Sequence, residues 1–548
     1  MQASSAAKYS LTETVDFVIV GSGAAGGIVA KQLATRGFSV VVLEAGPRLG
    51  PADFKHDEFG YWFNRDLGPK TPVTWRQTEQ EEAKEGRGDI WRASMVGGSS
   101  VHYTANLWRL HAIDFNERSK LGAIPGANLA DWPIGYADLE PYYTMVDWEV
   151  GVSGAPGPFD PPRSRPFPMP PLPVKSSGVL FERGCRKLGL HPQPAPMGIH
   201  SRPFGGRNAC QHCGYCIGFG CEFGAKGSTL ASVIPVAEAT GKCEIRARSY
   251  ASKVETDARG RATGVSYFDA DKKAQFQPAR AVILSCNGAE TPKLLLGSTS
   301  SRFPDGLANS SGYVGKYLMF NGNTGTMGLF EHPLNEYKSV QVTRIIHDFY
   351  DSDPQRGYYG GGGIDARFQQ YPIVFGLSGL PPEAPGWGSE YKRLLGEYFN
   401  RSMMCAGHTT SLPVEANSVT LDPTVKDDWG LPALRITYQD HADDLKIMQF
   451  MVDRSKEILE AAGARKIWGF PVQVSGGTAH LLGTCRMGTD PRTSVINPDH
   501  RTHDVPNLFL CDGSSMVTSG RGQPTMTIMA LAFRAGERIG ELAKRGEI

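Results

Sequence analysis

An α/β fold, α+β overall, is predicted by three features of the sequence. A strand–turn–helix–strand unit opens the chain, a second strand-rich region follows after residue 240, and residues 310–470 carry an irregular β pattern rich in aromatic side chains. At roughly 150 residues per unit, 548 residues divide into three or four units and bury a large core. The 65 glycines supply many tight turns and close backbone approaches.

The opening unit is VDFVIVGSGAAGGIVAKQLATRGFSVVVLEAG, residues 15–46. VDFVIV is a strand by composition, a helical stretch follows and stops at Gly37, and FSVVVLE is the next strand. Gly21, Gly23 and Gly26, with Ala24 and Ala25 between them, form G-x-G-x-x-G at the strand-to-helix turn. There the glycines let backbone approach a pyrophosphate, and the helix N-terminus attracts its negative charge. Glu44, followed by Ala45, closes the second strand where it can accept hydrogen bonds from ribose hydroxyls. This is a Rossmann-like dinucleotide site, and the motif alone fits FAD and NAD equally.

Net charge is +1, with no basic stripe for nucleic acid and no polybasic patch for a membrane surface. No window of about 18 uninterrupted apolar residues predicts a membrane span. The first residues lack a basic stretch followed by an apolar one, so no export signal is expected in the chain itself. Residues 155–173, APGPFDPPRSRPFPMPPLP, predict an extended surface connection anchored by Phe159, Phe167, Met169 and Leu172. Short strands are expected over 244–285 with a turn at DARGR, and ADDLKIMQFMVDRSKEILEA at 443–462 has helical apolar spacing. Six of the ten cysteines, among them Cys185, Cys286 and Cys511, stand singly and read as buried thiols.

The other four lie in CQHCGYCIGFGC as C-x2-C-x2-C-x4-C: Cys210, Cys213, Cys216 and Cys221. Four adjacent thiolates repel unless a metal centre takes up their charge. Structural zinc sites usually set two ligand pairs farther apart, whereas iron–sulfur runs are compact. The spacing favours an iron–sulfur centre and leaves zinc, a disulfide or free thiols as alternatives.

Four separated stretches then agree: the Gly21–Glu44 motif, GGSSVHYTANLWRLHAIDF from Gly97, GAETPKLLLGS from Gly288, and HLLGTCRMG from His480 followed by NLFLCDGSSMVTSGRGQPTMTIMALA from Asn507. In this order they resemble the glucose–methanol–choline oxidoreductase family of flavoenzymes. DWPIGYADLEPYY, RPFPMPPLP and SRPFGGRNAC bring the likeness closest to the large flavoprotein subunits of bacterial sugar and sugar-acid dehydrogenase complexes. The resemblance implies a Rossmann-like FAD domain built from discontinuous segments and a substrate domain on an antiparallel sheet. The FAD segments are placed at 1–125, 231–310 and 475–548, the last carrying the active site. A proline-rich connecting segment spans 126–204, the cysteine cluster 205–230 and the substrate domain 311–474.

It also implies chemistry. An alcohol loses its hydroxyl proton as hydride leaves for flavin N5, so a base is required. The family's active-site histidine falls on His480. Its second residue, usually His or Asn, falls on Gln523, which hydrogen-bonds but cannot take a proton, so Gln523 is given an orienting role. Flavin contacts are expected from Gly97, Gly98, Ser99, the Val254 backbone, Asp512, Gly513, Pro524 and Thr525. His102 stands where some relatives bond the flavin covalently and others only pack a histidine. The related sugar dehydrogenases hold a [3Fe–4S] centre on three cysteines; with four here, [4Fe–4S] is the alternative. Such a cluster passes electrons singly to a cytochrome c or quinone acceptor. A sugar, sugar acid, glycoside or polyol is the implied substrate, with an oxygen-using oxidase or a long-chain alcohol dehydrogenase as the rival readings. A small chaperone-like subunit is the implied partner. It would carry the export signal for a folded, periplasmic or membrane-peripheral enzyme, any membrane contact being made through a partner; a cytoplasmic enzyme would show the same sequence features. Gln341, Arg344, His347 and His408 are candidates for reading substrate hydroxyls.

Overall fold

The structure, a computed structural model, describes residues 8–368, 371–469, 471–472 and 479–548. The first seven residues, on which the export-signal expectation bears, and the expected boundary at 474/475 lie outside the described residues.

The first sheet is built on Val15–Val20, whose five apolar side chains are all at most 6% exposed, so both faces are covered, as a parallel central strand requires. Val40–Leu43 pairs with it in parallel on one side and Ala274–Leu284 on the other, with Val18 opposite Val41 and Val282. Cys243–Arg246 and Leu508–Leu510 extend the parallel part at either edge. The strand Ala274–Leu284 serves two arrangements. Its second half is parallel to Val15–Val20, and its first half is antiparallel to Ala262–Phe268, which pairs in turn with Tyr250–Thr256. The helices Gly26–Ala34 and Thr525–Lys544 pack together beside this sheet, and Tyr136–Val146 lies against the second of them.

The second sheet is antiparallel throughout, in the order Lys466–Gly469, Gly322–Leu329, Ser402–Thr409, Gly362–Arg367, Val342–Ile346, Gln193–Pro194. The expected helix runs over Ala442–Ala462 and stops at Gly463, which takes the left-handed conformation with φ +97°. With Ser176–Lys187 it covers the sheet, Ile447, Met451 and Phe181 meeting Ile364, Met403 and Cys405. A third sheet was not legible in the sequence: Ser418–Lys426 and Pro432–Thr437 join Val73–Arg76 and Lys84–Glu85, more than 300 residues away. The proline-rich connection is extended, as expected, with Met169 and Leu172 buried; Phe159 is exposed, with its ring edge-on to His191. Among the described residues no helix is long and apolar enough to cross a membrane.

One buried cation fixes the loop that carries Gln523. Arg521 is fully buried and donates through Nε to Asp114 at 3.1 Å, through Nη2 to Glu117 at 3.0 Å, and through Nη1 to the Tyr350 carbonyl. Burial pushes the Glu117 carboxyl up to about 7, against the pull of Arg521. Arg521→Leu leaves two carboxylates buried without their cation. It should lower stability by about 3–5 kcal/mol in equilibrium urea unfolding, with a lower Tm.

Candidate active site

A cavity of about 910 Å³ runs from the Gly21–Ala25 turn to a polar end formed by Asn106, Asn323, Arg367, His408, His480 and Gln523. Gly21, Gly23, Ala24, Ala25, Glu44 and Ala45 line the first end. Gly98, Ser99, His102, Asp512, Gly513, Pro524 and Thr525 line the middle.

The glycines of the first end have separate duties. Gly21 has φ +91°, and a Cβ there would stand 2.5 Å from the Ser285 carbonyl oxygen. A Cβ on Gly26 would meet the Gly21 oxygen at 1.9 Å, so Gly26 packs backbone and does not face the cavity. Gly98 approaches the Gly23 Cα so closely that its own Cβ would sit 2.7 Å away. Gly23 differs: no heavy atom comes nearer than 3.8 Å to a Cβ built there. Its small size leaves space that the protein itself does not fill, as the cradle for a pyrophosphate must.

Glu44 is buried and turned toward this turn. One oxygen accepts from the Ser22 amide at 3.0 Å and the Ser22 hydroxyl at 2.7 Å; the other accepts from the Gly46 amide at 3.0 Å. Burial pushes its carboxyl up, and those donors hold it down. Gly97 is off the wall and donates its amide to Ser22 Oγ at 3.0 Å. Val254 is also off the wall, and its amide donates to Ser298 Oγ at 3.0 Å; Tyr250, Ala251 and Ser252 of the same strand line the cavity instead. Asp512 ties the middle together, accepting from the Asn287 amide at 3.0 Å, Thr291 Oγ1 at 2.5 Å and the Ser514 amide at 2.7 Å. His102 is buried with Nε2 unpartnered, and burial, then the Lys226 charge, push it down to about 3. These walls fit FAD: a cradle for phosphates, a carboxylate for ribose and an imidazole with an unused nitrogen for the ring system.

At the polar end, His480 faces Asn321 through Nδ1 at 3.0 Å. Burial, then the nearby His408 and Arg367, push its imidazole down to about 3, so it is neutral across the physiological range. Gln523 follows Gly522, whose Cβ would lie 2.7 Å from the Trp108 ring and 3.3 Å from His408 Cβ. His408 and Gln523 therefore share one corner. Of the four polar residues proposed to read hydroxyls, only His408 lines the cavity. Arg344 pairs with Glu182, Gln341 donates to the Gly214 carbonyl at 2.8 Å, and His347 is buried against Trp108. Asn106, Asn323 and Arg367 were missed. For Arg367 the signal was charged residues alternating in an otherwise small and apolar strand, Gly-Gly-Ile-Asp-Ala-Arg over 362–367.

The cysteines lie outside this cavity, in a loop beside His102. Cys216 turns into an apolar cluster with Met197, Ile199 and Val340, while Cys213 and Cys221 stay half-buried. Among the described residues no group of three or more His, Cys, Asp or Glu side chains has the geometry to hold a metal ion. The iron–sulfur cage that the spacing favours, on three or four of these thiols, is thus not closed. The loop's backbone is what is held: Lys226, buried, donates to the carbonyls of Cys216 at 2.5 Å, Phe219 at 2.8 Å and Tyr103 at 3.1 Å. The Gly218 amide donates to the His102 carbonyl at 2.7 Å.

Comparison with known proteins agrees with this arrangement. The family models of GMC oxidoreductase match residues 15–319 and 413–532. The chain is 33% identical to a 2-methyl-1,2-propanediol dehydrogenase of Mycolicibacterium austroafricanum, over 96% of this chain and 95% of the relative. It is 31% identical to the fructose dehydrogenase large subunit of Gluconobacter japonicus, over 98% and 99%. A solved formate oxidase of Aspergillus oryzae superposes with a TM-score of 0.67 at 15% identity, covering 98% of this chain and 100% of its own, and so shares the fold.

The two kinds of glycine separate by substitution. Gly23→Ala fits the protein but fills the phosphate space. The apoprotein should melt as wild type, while flavin content falls and the holoprotein loses the stabilisation that bound cofactor confers, about 2.7 kcal/mol at a hundredfold excess over Kd. Gly21→Ala should lower the Tm of the apoprotein as well.

Proposed function

The chain belongs to the glucose–methanol–choline oxidoreductase family, and from that premise we propose that it is a dehydrogenase for a polyhydroxylated alcohol, taking a sugar, sugar acid, glycoside or polyol to the carbonyl. The family and its relatives make it an FAD-dependent CH–OH oxidoreductase. One observation carries the finer reading: the nucleotide trough ends at a neutral imidazole surrounded by side chains that match hydroxyl groups. Bound FAD supplies a two-electron acceptor for the substrate's hydride. His480 accepts the hydroxyl proton. Gln523, beside it, both donates and accepts and orients that hydroxyl. Asn106 and Asn323 face the same space with amides. Arg367 is neutralised by Asp365, its Nε donating at 2.5 Å, so this end takes a neutral polyol without an opposing charge. The diol and sugar named for two relatives support this class.

Electron delivery is the second part of the reading. An iron–sulfur cluster in the 210–221 loop, [3Fe–4S] before [4Fe–4S], would supply a one-electron acceptor near the flavin edge. The donor set is thiol only, and each sulfur lies within electrostatic range of the others: burial, then the neighbouring thiols, push Cys216 up against the pull of Lys226. Rings in contact lead toward the loop from His102 through Trp91, Trp62 and Tyr371 to Tyr215, with centroids 4.9–5.8 Å apart. The acceptor beyond is a cytochrome c or quinone system. A small subunit and periplasmic placement belong to the same proposal.

His480→Ala should keep its flavin and lose about 10²–10⁴ in kcat with a dye acceptor, and Gln523→Ala should lose less. Equal, small losses in both would place the chemistry elsewhere. For the relay, low-temperature EPR with iron analysis of anaerobically purified protein should give a signal in the oxidised state. A signal only after dithionite reduction would assign [4Fe–4S]. Iron-free protein with peroxide production in air would remove the relay and make the enzyme an oxidase.

A further inference from the structure

We propose that Asn321 is the positioning residue of this active site, fixing which nitrogen of His480 accepts the substrate proton. The inference rests on His480 being the base and goes beyond it. Asn321 is buried at 2% exposure. Its amide nitrogen faces three backbone carbonyls: Thr409 at 3.1 Å, Gly520 at 3.1 Å and Ser519 at 3.3 Å. Rotating the amide would set its oxygen against three carbonyl oxygens, so the orientation has one solution. Asn321 Oδ1 is then the atom presented to His480 Nδ1 at 3.0 Å. An oxygen without a hydrogen can only accept, so Nδ1 carries the proton of the neutral imidazole and Nε2 is the basic nitrogen.

Asn321 is itself held by a polar chain. Its carbonyl accepts from Asn323 Nδ2 at 2.9 Å. Asn323 Oδ1 meets His408 Nδ1 at 2.8 Å. His408 Nε2 lies 2.9 Å from Asp365 Oδ2 and 2.7 Å from Arg367 Nη2. Asn106 Nδ2 donates to the same Asp365 oxygen at 3.3 Å and takes the Trp108 indole hydrogen on its own Oδ1 at 2.7 Å. Asp365 is fully buried and His408 nearly so. Three strands, Gly322–Leu329, Ser402–Thr409 and Gly362–Arg367, thus deliver one acceptor to one ring nitrogen. The charged and titratable groups facing His480 from these strands are His408 and Arg367, with Asp365 opposing Arg367.

Two variants and one spectrum test this. Asn321→Leu removes the acceptor, so the ring populates both tautomers and loses its fixed orientation; kcat should fall about tenfold, less than in His480→Ala, with little change in KM. Asn321→Asp places a carboxylate at Nδ1, which favours the imidazolium and raises its pKa. Because imidazolium cannot accept a proton, the acid limb of the kcat/KM profile should move to higher pH, a shift that a merely structural role would not produce. Flavin content and Tm report whether each variant is folded. The wild-type enzyme supplies a readout that needs neither variant to fold. In ¹⁵N-histidine-labelled protein, the signal lost in His480→Gln should show an unprotonated-type Nε2 and a protonated Nδ1. An unprotonated Nδ1, or folded Asn321→Leu with unchanged kcat, would overturn the proposal. Unimpaired His480→Ala would instead overturn the assignment of the base.

Discussion

Three backbone-to-backbone approaches set where everything else can stand. Gly26 lies on the Gly21 carbonyl, Gly21 lies on that of Ser285, and Gly98 lies on Gly23. They join the first turn, the end of the strand Ala274–Leu284 and the 97–101 turn at distances that no side chain allows. The same device is repeated deeper in the site. A Cβ on Gly288 or on Gly513 would come within 2.2 Å of the Leu481 carbonyl oxygen. Leu481 is thereby wedged between the segment following Ala274–Leu284 and the Asp512 turn, and His480 is its immediate neighbour. The distance from phosphate cradle to base is fixed by glycine contacts along the whole path, which rigid positioning of a reacting group requires.

Local pattern made the cradle, the long helix and His480 legible, because each is written in consecutive residues. Gly21, Gly23, Glu44, Asp512 and Gln523 all arrive at one cavity from motifs quoted in sequence. What was not legible depends on pairing between distant strands. Nothing in Val73–Arg76 announces that it pairs with Pro432–Thr437. Asn321, Asn323, Asp365 and Arg367 look like ordinary strand residues until the register Asn323 opposite His408 opposite Gly363 is known. Val254 was placed on the wall by likeness, but its amide is consumed by Ser298. The cysteine spacing predicted a closed cage, and spacing alone does not decide where sulfurs point once a thiol such as Cys216 has an apolar cluster to enter.

The charges buried around the site are arranged in pairs. Arg521 meets Asp114 and Glu117, Arg367 meets Asp365, Arg92 meets Glu290, and Lys293 meets Asp427. Removing one member of such a pair costs far more than the pair contributes, because the survivor is left in a low-dielectric interior. The pairs therefore serve placement more than stability. Their near-cancellation leaves the substrate end close to neutral while still crowded with donors. A neutral imidazole persists there because burial penalises its cation, with His408 and Arg367 adding to that penalty.

The cysteine loop follows a different rule, and that difference bears on how the two halves of the chemistry are joined. Its anchors are carbonyls on Lys226, the Gly218 amide on His102, and the Tyr371 hydroxyl donating to the Ile217 carbonyl at 2.9 Å. No sulfur takes part in any of them. The loop's position beside His102 is thus secured by backbone, and a change at a cysteine side chain leaves the anchors untouched. Lys226 is the exception that ties the two together: burial pushes its ammonium down, and the neighbouring sulfurs, Cys216 foremost, act against that push. A buried ammonium with only carbonyls for partners is costly, and thiolate character nearby relieves that cost. The loop is therefore mechanically part of the flavin wall: its backbone anchors include Lys226 and no sulfur, so substituting Lys226 removes contacts that substituting a cysteine side chain leaves in place.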